Sequence, residues 1–425
     1  MSKPRAGKTG PRIATIGTGD TKSDELLFIR DRIQRAGGEP VMVDVSVLGD
    51  PPYTVEHDKH AVASAAETTI GEMVNSGDEN TSMTLMATGC ARLVRRLYDD
   101  GKVDAMLALG GSMGTDLALD VALALPLGVP KFVVSTIAYS HLIPPERIAP
   151  DLMMILWAGG LFGLNSTCQA VLSQACGAVV GASTTWVAAV PERPVVAMSS
   201  LGKSCLKYMT TLKPELERRG YEVVVFHTTG MGGRALEAIA AQRGFVAVMD
   251  FSLQELANDL TGSVVTSGPS RLESAGQAAI PQIVAPGAVD MVDFPAWQGI
   301  PQRLRGRPYH AHNRLLASVT SGTSDRRRIA RSIGERLRRA QGPVAFILPT
   351  GGLQEWDQPG EPLHDPEGLE AFLDEMRGSV GEPVQVHEIA GHINGREFID
   401  TALAIFDRWA AEGVIPPGRP SGATA

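Results

Sequence analysis

Along this chain, apolar runs without polar alternation recur, each ending in glycine, serine or threonine and each followed by apolar residues at helical spacing. Runs of that kind read as strands buried on both faces, and the strand–loop–helix rhythm predicts α/β layers with parallel sheets. The most continuous run lies in residues 103–119, VDAMLALGGSMGTDLAL. There 106–109 predicts a strand, 110–115 a glycine loop, and Leu117, Val121 and Ala124 the inward face of a helix beginning at Thr115. Glycine lets backbone N–H groups approach an anion closely, and a helix start adds free donors and a positive dipole end. Gly110, Gly111, Ser112, Gly114 and Thr115 are therefore candidates to hold a phosphate or carboxylate.

The same rhythm starts earlier. A strand at 12–16 runs into Gly17, Thr18, Gly19, Asp20, Thr21 and Lys22, and then into a helix with Leu26, Leu27, Ile29, Ile33 and Ala36 inward. The next strand, 40–46, carries Asp44 near its carboxyl end, where dinucleotide-binding folds place the carboxylate that accepts from a ribose hydroxyl. A loop and a helix follow over 53–77, then a long helix over 82–98. Residues 131–136 form a further strand ending in Ser135 and Thr136, and 151–163 with 165–177 read as a pair of glycine-rich apolar helices. Their low polarity points to a domain or subunit contact.

Residues 190–194, VPERP, read as a linker, after which the alternation restarts. The strand at 195–198 enters Ser199-Ser200-Leu201-Gly202-Lys203-Ser204, similar to the tail of a P-loop with Ala197 in place of its first glycine. A strand at 221–226 ends in His227-Thr228-Thr229-Gly230-Met231-Gly232-Gly233-Arg234. Hydroxyls, glycines, a histidine and an arginine at a helix start suit a phosphate or carboxylate, with His227 the candidate general acid or base. Lys203, Ser204, Thr229, Gly230, Gly232 and Gly233 are the candidate substrate contacts.

A strand over 246–250 precedes a helix capped by Ser252, and a strand from 281 enters a glycine–proline loop with Asp290. Residues 293–320 show neither helical nor strand periodicity and read as a long irregular loop carrying His310, His312 and Asn313; such loops are usually functional. His310 and His312 could ligate a metal only if Asp290 joined them. Strands at 342–348 and 383–387, a final helix at 397–411 and a disordered tail from 416 complete the chain. The expected architecture is thus two Rossmann-like α/β domains, 1–190 and 191–415, each a mostly parallel sheet with helices on both faces.

Composition narrows the function. The chain has 425 residues, with 20% charged, 5% aromatic, 46 glycines and 28 prolines, as expected of a glycine-looped α/β protein packed with small aliphatics. A net charge of -8 argues against a nucleic-acid partner. The arginines of 326–339 read as a solvated helix face. Four cysteines without paired spacing suggest neither a zinc site nor a disulfide framework, hence a reducing, cytoplasmic setting. The start lacks the apolar core of a signal peptide, and no segment suits a membrane span.

Several motifs, IGTGDTKSDEL at 16–26, VDVS at 43–46, LGGSMGT at 109–115, VVST at 133–136, VFHTTGMGGRALE at 225–237, PGAVDMVDF at 286–294, HAHN at 310–313 and GHINGREF at 391–398, give the chain a family likeness along nearly its whole length. It resembles the ATP-binding family named after the tobamovirus resistance protein of tomato. That resemblance implies two Rossmann-like halves, ATP with Mg2+ on the glycine loops, and a homodimer or higher homo-oligomer. It assigns the nucleotide to Gly17, Gly19, Asp20, Thr21, Lys22, Gly110, Gly111, Ser112, Gly114, Thr115, Ser135 and Thr136. The chain departs from the family pattern at Ser200-Leu201-Gly202-Lys203-Ser204-Cys205, where a lysine enters a small-residue loop. The leading expectation is an ATP-binding protein with a small anionic ligand in an interdomain cleft. The alternatives are a hydrolase or carbon–carbon lyase using His227, Arg234, Asp290, His312 and Asn313, or a protein-interaction module.

Overall fold

A computed structural model of the chain describes residues 10–187 and 191–419. The chain divides into two compact units, 1–189 and 190–425. The start of the expected linker, Val190, lies outside the described residues, as does the tail from 420.

The first unit runs β1 (Arg12–Gly17), α1 (Ser23–Arg35), β2 (Glu39–Asp44), α2 (Lys59–Ala65), α3 (Ile70–Val74), α4 (Glu79–Asp99), β3 (Ala105–Gly110), α5 (Ser112–Ala124), β4 (Lys131–Ser135), β5 (Leu152–Leu156) and α6 (Ser166–Thr185). Its five strands are parallel in the order β2-β1-β3-β4-β5. One apolar core joins α2, α4 and α5 to one face, around Val94, Met106 and Val121; another joins α1 and α6 to the other, around Ile29, Leu107 and Leu172. This is why the strand residues are apolar on both sides. The expected helix over 151–163 is instead β5 and a glycine loop, with Leu152 paired to Lys131. Helix α5 begins at Ser112 rather than Thr115, because Gly111 occupies the N-cap.

The second unit runs β6 (Val195–Ser200), α7 (Lys207–Arg218), β7 (Glu222–His227), α8 (Met231–Ala241), β8 (Ala247–Asp250), α9 (Gln254–Thr261), α10 (Ser274–Gln277), β9 (Gln282–Val284), β10 (Met291–Pro295), β11 (Tyr309–Ala311), β12 (Leu316–Thr320), α11 (Thr323–Arg338), β13 (Val344–Pro349), α12 (Pro366–Ser379), β14 (Gln385–Ile389) and α13 (Arg396–Ala411). Six strands form a parallel sheet ordered β14-β13-β9-β8-β6-β7. Its faces are covered by α7 and α13, around Tyr208, Phe398 and Trp409, and by α9, α11 and α12, around Leu256, Ile333 and Phe372.

Four local expectations are overturned here. Residues 293–320 supply most of an antiparallel sheet, β10-β12-β11, with Met291 paired to Thr320 and its own small core of Val292, Phe294, Leu304, Ala317 and Val319. Helix α9 is capped by Leu253; Ser252 instead shares a hydrogen bond with Thr228 at 2.8 Å. The arginines of α11 do not form a plain solvated face. Arg326 is buried on Asp365 at 2.8 Å, and Arg328 and Arg336 donate to the carbonyls of Leu260 and Pro269. Residues 416–419 of the expected tail are bonded to the second unit: the Arg419 N–H donates to Gly220 O at 2.8 Å, and the Tyr221 hydroxyl donates to Pro416 O.

Candidate functional site

In an open parallel sheet, ligands bind beyond the carboxyl ends of the strands, where the winding reverses. In the first unit that place lies between β1 and β3. The loops leaving these strands, with those after β2 and around α3 and α4, enclose a cavity of about 670 Å3. Part of its lining is polar: Thr18, Asp20, Thr21 and Lys22 after β1, and Gly110, Gly111, Ser112 and Gly114 after β3. Another part is apolar, supplied by Val45, Val47, Leu48, Val74 and Met83.

The first N–H of α5 to find an acceptor within the helix is that of Thr115, on Gly111 O at 2.9 Å. The N–H groups of Ser112, Met113 and Gly114, residues that line the cavity, have no intrahelical acceptor, and the helix dipole adds positive potential there. Gly110 is dictated by packing, since a Cβ would lie 2.5 Å from the Cα of Gly114. Lys22 holds its ammonium 4.9 Å from the Phe162 ring centroid, a cation–π contact at the edge of this site.

The remaining positions assigned to a nucleotide lie behind the lining. Asp44 is buried and does not line the cavity; its Oδ1 accepts from Gly19 N–H at 2.9 Å, from Ser46 N–H at 3.1 Å and from the Ser46 hydroxyl at 2.6 Å. Through Oδ1, Asp44 therefore ties the loops after β1 and β2 together. Burial, and after it the Asp44 charge, pushes the Tyr53 phenol up to about 12 against the pull of Arg30. Asp20 is also engaged, accepting from the Ser46 hydroxyl and from Gly49 N–H. Thr115 and Ser135 share a hydrogen bond at 2.7 Å, Thr136 N–H donates to Gly110 O at 3.2 Å, and Gly17 packs against Leu26 and Leu109. The apolar lining from Val45 to Leu48 and from Val74 to Met83 was not foreseen in the sequence. Val45, Val47 and Leu48 follow β2, whereas Val74 and Met83 lie on α3 and α4, and Val45, Val47 and Met83 also belong to or pack on the core of that face.

The corresponding reversal in the second unit lies between β6 and β8, and it is filled from within. Arg271, buried, donates to both carboxylate oxygens of Asp250, to Glu255 Oε2 at 3.0 Å, to Glu237 Oε1 at 3.3 Å and to Ser252 O at 3.1 Å. The Ser199 hydroxyl donates to Asp250 at 2.6 Å and accepts from Ser252 N–H at 2.9 Å. Glu255 Oε1 accepts from Gly230 N–H at 2.5 Å and from Gly233 N–H at 3.2 Å. The amides expected to receive a substrate anion therefore hold the chain's own carboxylate. Burial pushes Glu255 up to about 7, against the opposing pull of Arg271 and the two amides. Gly232 is a packing position as well, because a Cβ there would lie 1.8 Å from His227 O.

The P-loop likeness does not survive in three dimensions. Strand β6 continues to Ser200, residues 201–205 are closed by a bridge between Leu201 and Cys205, and α7 starts only at Lys207. Lys203 is exposed on that turn and Ser204 is buried beside it, neither at a helix start. The residues expected to work as one catalytic set are likewise separated. His227 and His312 line a common pocket with Gly202, Ser204, Thr229, Asp293, Ser318 and Trp356; Arg234, Asp290 and Asn313 do not line it. Asp290 is buried, receives the Gln354 amide at 3.0 Å, and is pushed up to about 6 by burial and by Asp357, against Arg326. Asn313 accepts from the N–H groups of Leu315 and Leu316, which fixes the turn between β11 and β12. Among the described residues no group of three His, Cys, Asp or Glu side chains could hold a metal ion, and no helix is long and apolar enough to cross a membrane.

Comparison with known proteins accounts for both units. The model described as "Uncharacterised protein family (UPF0261) N-terminal domain" matches residues 11–187, and its C-terminal counterpart matches residues 193–410. The chain belongs to the UPF0261 family. A UPF0261 protein of Brucella melitensis is 64% identical over 413 residues, covering 97% of this chain and 99% of the relative. A UPF0261 protein of Clostridium tetani is 33% identical, covering 91% and 96%. The tomato ToMV resistance protein Tm-1 is 28% identical over 94% of this chain, a match that spans 56% of the Tm-1 protein. UPF0261 thus supplies the two-domain frame and leaves the chemistry to be argued from the site.

Proposed function

We propose that this UPF0261 protein binds a nucleotide, ATP with Mg2+, in the crevice between β1 and β3 of its N-terminal unit. The observation that carries the reading is a cavity of about 670 Å3 combining the amide end of α5 with Lys22 and an apolar wall. Phosphates suit the amides and the lysine, and a base suits Val45, Val47, Leu48, Val74 and Met83. Asp20 is committed to Ser46 and Gly49, Asp78 caps α4 through Thr81 N–H, and among the described residues no group of three His, Cys, Asp or Glu side chains could hold a metal ion. Mg2+ would then be held chiefly by phosphate and water oxygens, as this ion commonly is. Carboxylates so engaged favour binding over turnover, a nucleotide that organises the domain rather than one consumed.

Calorimetry of the nucleotide-free protein with ATP and Mg2+, followed by an assay of the same sample for ADP, tests the reading. Saturable binding without ADP release is expected, and Lys22→Ala should weaken it about tenfold through loss of one charge-assisted contact. Absence of binding would refute the reading; binding with steady ADP release would replace it with an ATP-consuming enzyme.

A further inference from the structure

With the amides of α8 occupied by Glu255, the open polar chemistry of the second unit lies elsewhere. The pocket shared by His227 and His312 is assembled from two sheets. His227 ends β7 and Gly202, Ser204 and Thr229 follow β6 and β7 of the parallel sheet, while Asp293 and Ser318 lie on β10 and β12 of the antiparallel sheet and His312 in the turn after β11. The tip of that second sheet is fixed by His310, which stacks on Trp356 with ring centroids 4.0 Å apart. The cavity is small, about 30 Å3, close to the volume one water takes up in the liquid. It admits a single hydroxyl or carbonyl group, with the rest of a ligand at the open mouth.

We propose that this pocket is a second small-molecule site for a small hydroxy- or oxo-carboxylate. Its carboxylate is received by His227 and His312 at the exposed mouth, and its hydroxyl or carbonyl by Ser204 within, with the Ser318 oxygen left to accept from a hydroxyl. Several features support that polarity. His227 Nδ1 accepts from Gly202 N–H at 3.4 Å, which leaves the Nε2 proton to be donated outward. Lys203 is exposed on the turn between Gly202 and Ser204. The buried carboxyl of Asp293 is already met by the Ser318 hydroxyl and by the Asn258 amide at 3.3 Å, which tempers its repulsion of an anion.

Proton linkage follows from the groups around the mouth. Burial and the neighbouring His312 push His227 down, and burial, His312 and the opposing Glu361 act on His310, which is also lowered. An arriving carboxylate favours the imidazolium form, so binding takes up protons and tightens as pH falls. Asp293, raised to about 6 by burial, loses its charge over the lower part of the same range and acts in the same direction.

The test is calorimetry of the full-length protein with malate and with pyruvate, in two buffers of different ionisation heat. The expected result is saturable binding of at least one of them with proton uptake, about tenfold tighter at pH 6 than at pH 8. His227→Gln and His312→Gln should each weaken it more than about tenfold. Should either histidine variant fold poorly, protection of His227 from diethylpyrocarbonate by the same acids in the unaltered protein gives the answer without a substitution. No saturation by either acid up to about 10 mM, affinity in the histidine variants unchanged from that of the unaltered protein, or no protection of His227 would each overturn the proposal.

Discussion

The two parallel sheets of this protein reverse their winding at equivalent places and treat the resulting crevice in opposite ways. Between β1 and β3 the loops stand apart, small residues line the carboxyl ends and a cavity of about 670 Å3 remains. Between β6 and β8 the same place is closed by Arg271 and the carboxylates of Asp250, Glu255 and Glu237. Topology therefore fixes where a ligand can bind, and side chains decide whether it does. In the second unit the opening is displaced outward, to the seam between the parallel sheet and the antiparallel one.

The largest effect is expected at the filled crevice. Arg271→Ala leaves three carboxylates buried without their cation and should cost the second unit roughly 3–5 kcal/mol in denaturant unfolding. A loss below about 1 kcal/mol would mean the cluster is hydrated and the crevice less filled than described. Gly233→Ala should follow at about 1–3 kcal/mol, because its Cβ would lie 1.8 Å from Glu255 Oε2. At the open crevice, Gly110→Ala meets backbone at 2.5 Å and should reduce nucleotide affinity as well as stability, a double effect that Gly233→Ala cannot show.

Asp44→Ala removes three hydrogen bonds to Gly19 and Ser46 and should cost about 1–3 kcal/mol, read as faster amide exchange in the loops after β1 and β2.

The smallest effect separates the units by pH. Glu255 is raised from 4.5 to about 7, and Asp290 and Asp293 from 3.8 to about 6. A raised carboxyl keeps its proton longer in the folded state, so the stability it contributes is complete below its ordinary value and is lost as pH rises through the folded value. These groups make the second unit weaken between about pH 4 and about pH 7. Asp50, Glu72 and Asp78 in the first unit are lowered, by Lys59, Thr68 and Thr81 respectively, so their contribution is present above about pH 4 and fades in acid. Hydrogen exchange of each unit, corrected for intrinsic rates at pH 5 and pH 7, should show the two trends diverging; parallel trends would break the comparison.

How much of this was legible in the sequence depended on the range of the interaction. The run at 106–109 announced β3 because both faces of that strand are covered, and the glycines after it announced the loop. The run at 152–156 was as apolar, and its glycine flanks suited a short helix equally well; only pairing to Lys131 through Ser135 makes it β5. Strands β10, β11 and β12 are short and separated by segments rich in proline, glycine and arginine, and their register joins Met291 to Thr320 across the whole segment, beyond any local periodicity. The cavity loops were found because glycine, threonine and lysine cluster within a few residues. Glu255 was missed as the occupant of the Gly230 and Gly233 amides because it lies on the helix after the next strand, where it reads as an ordinary polar position. Asp44 was placed at the right strand end, but its partners proved to be the loop itself.

The most direct test of the contrast is a hydrogen-exchange footprint of the full-length protein with and without ATP and Mg2+. The open-crevice account predicts protection over residues 18–22 and 110–115, with the segments around Gly230 and Arg271 unchanged. Protection centred on the second unit, or none in the first at saturating nucleotide, would contradict it.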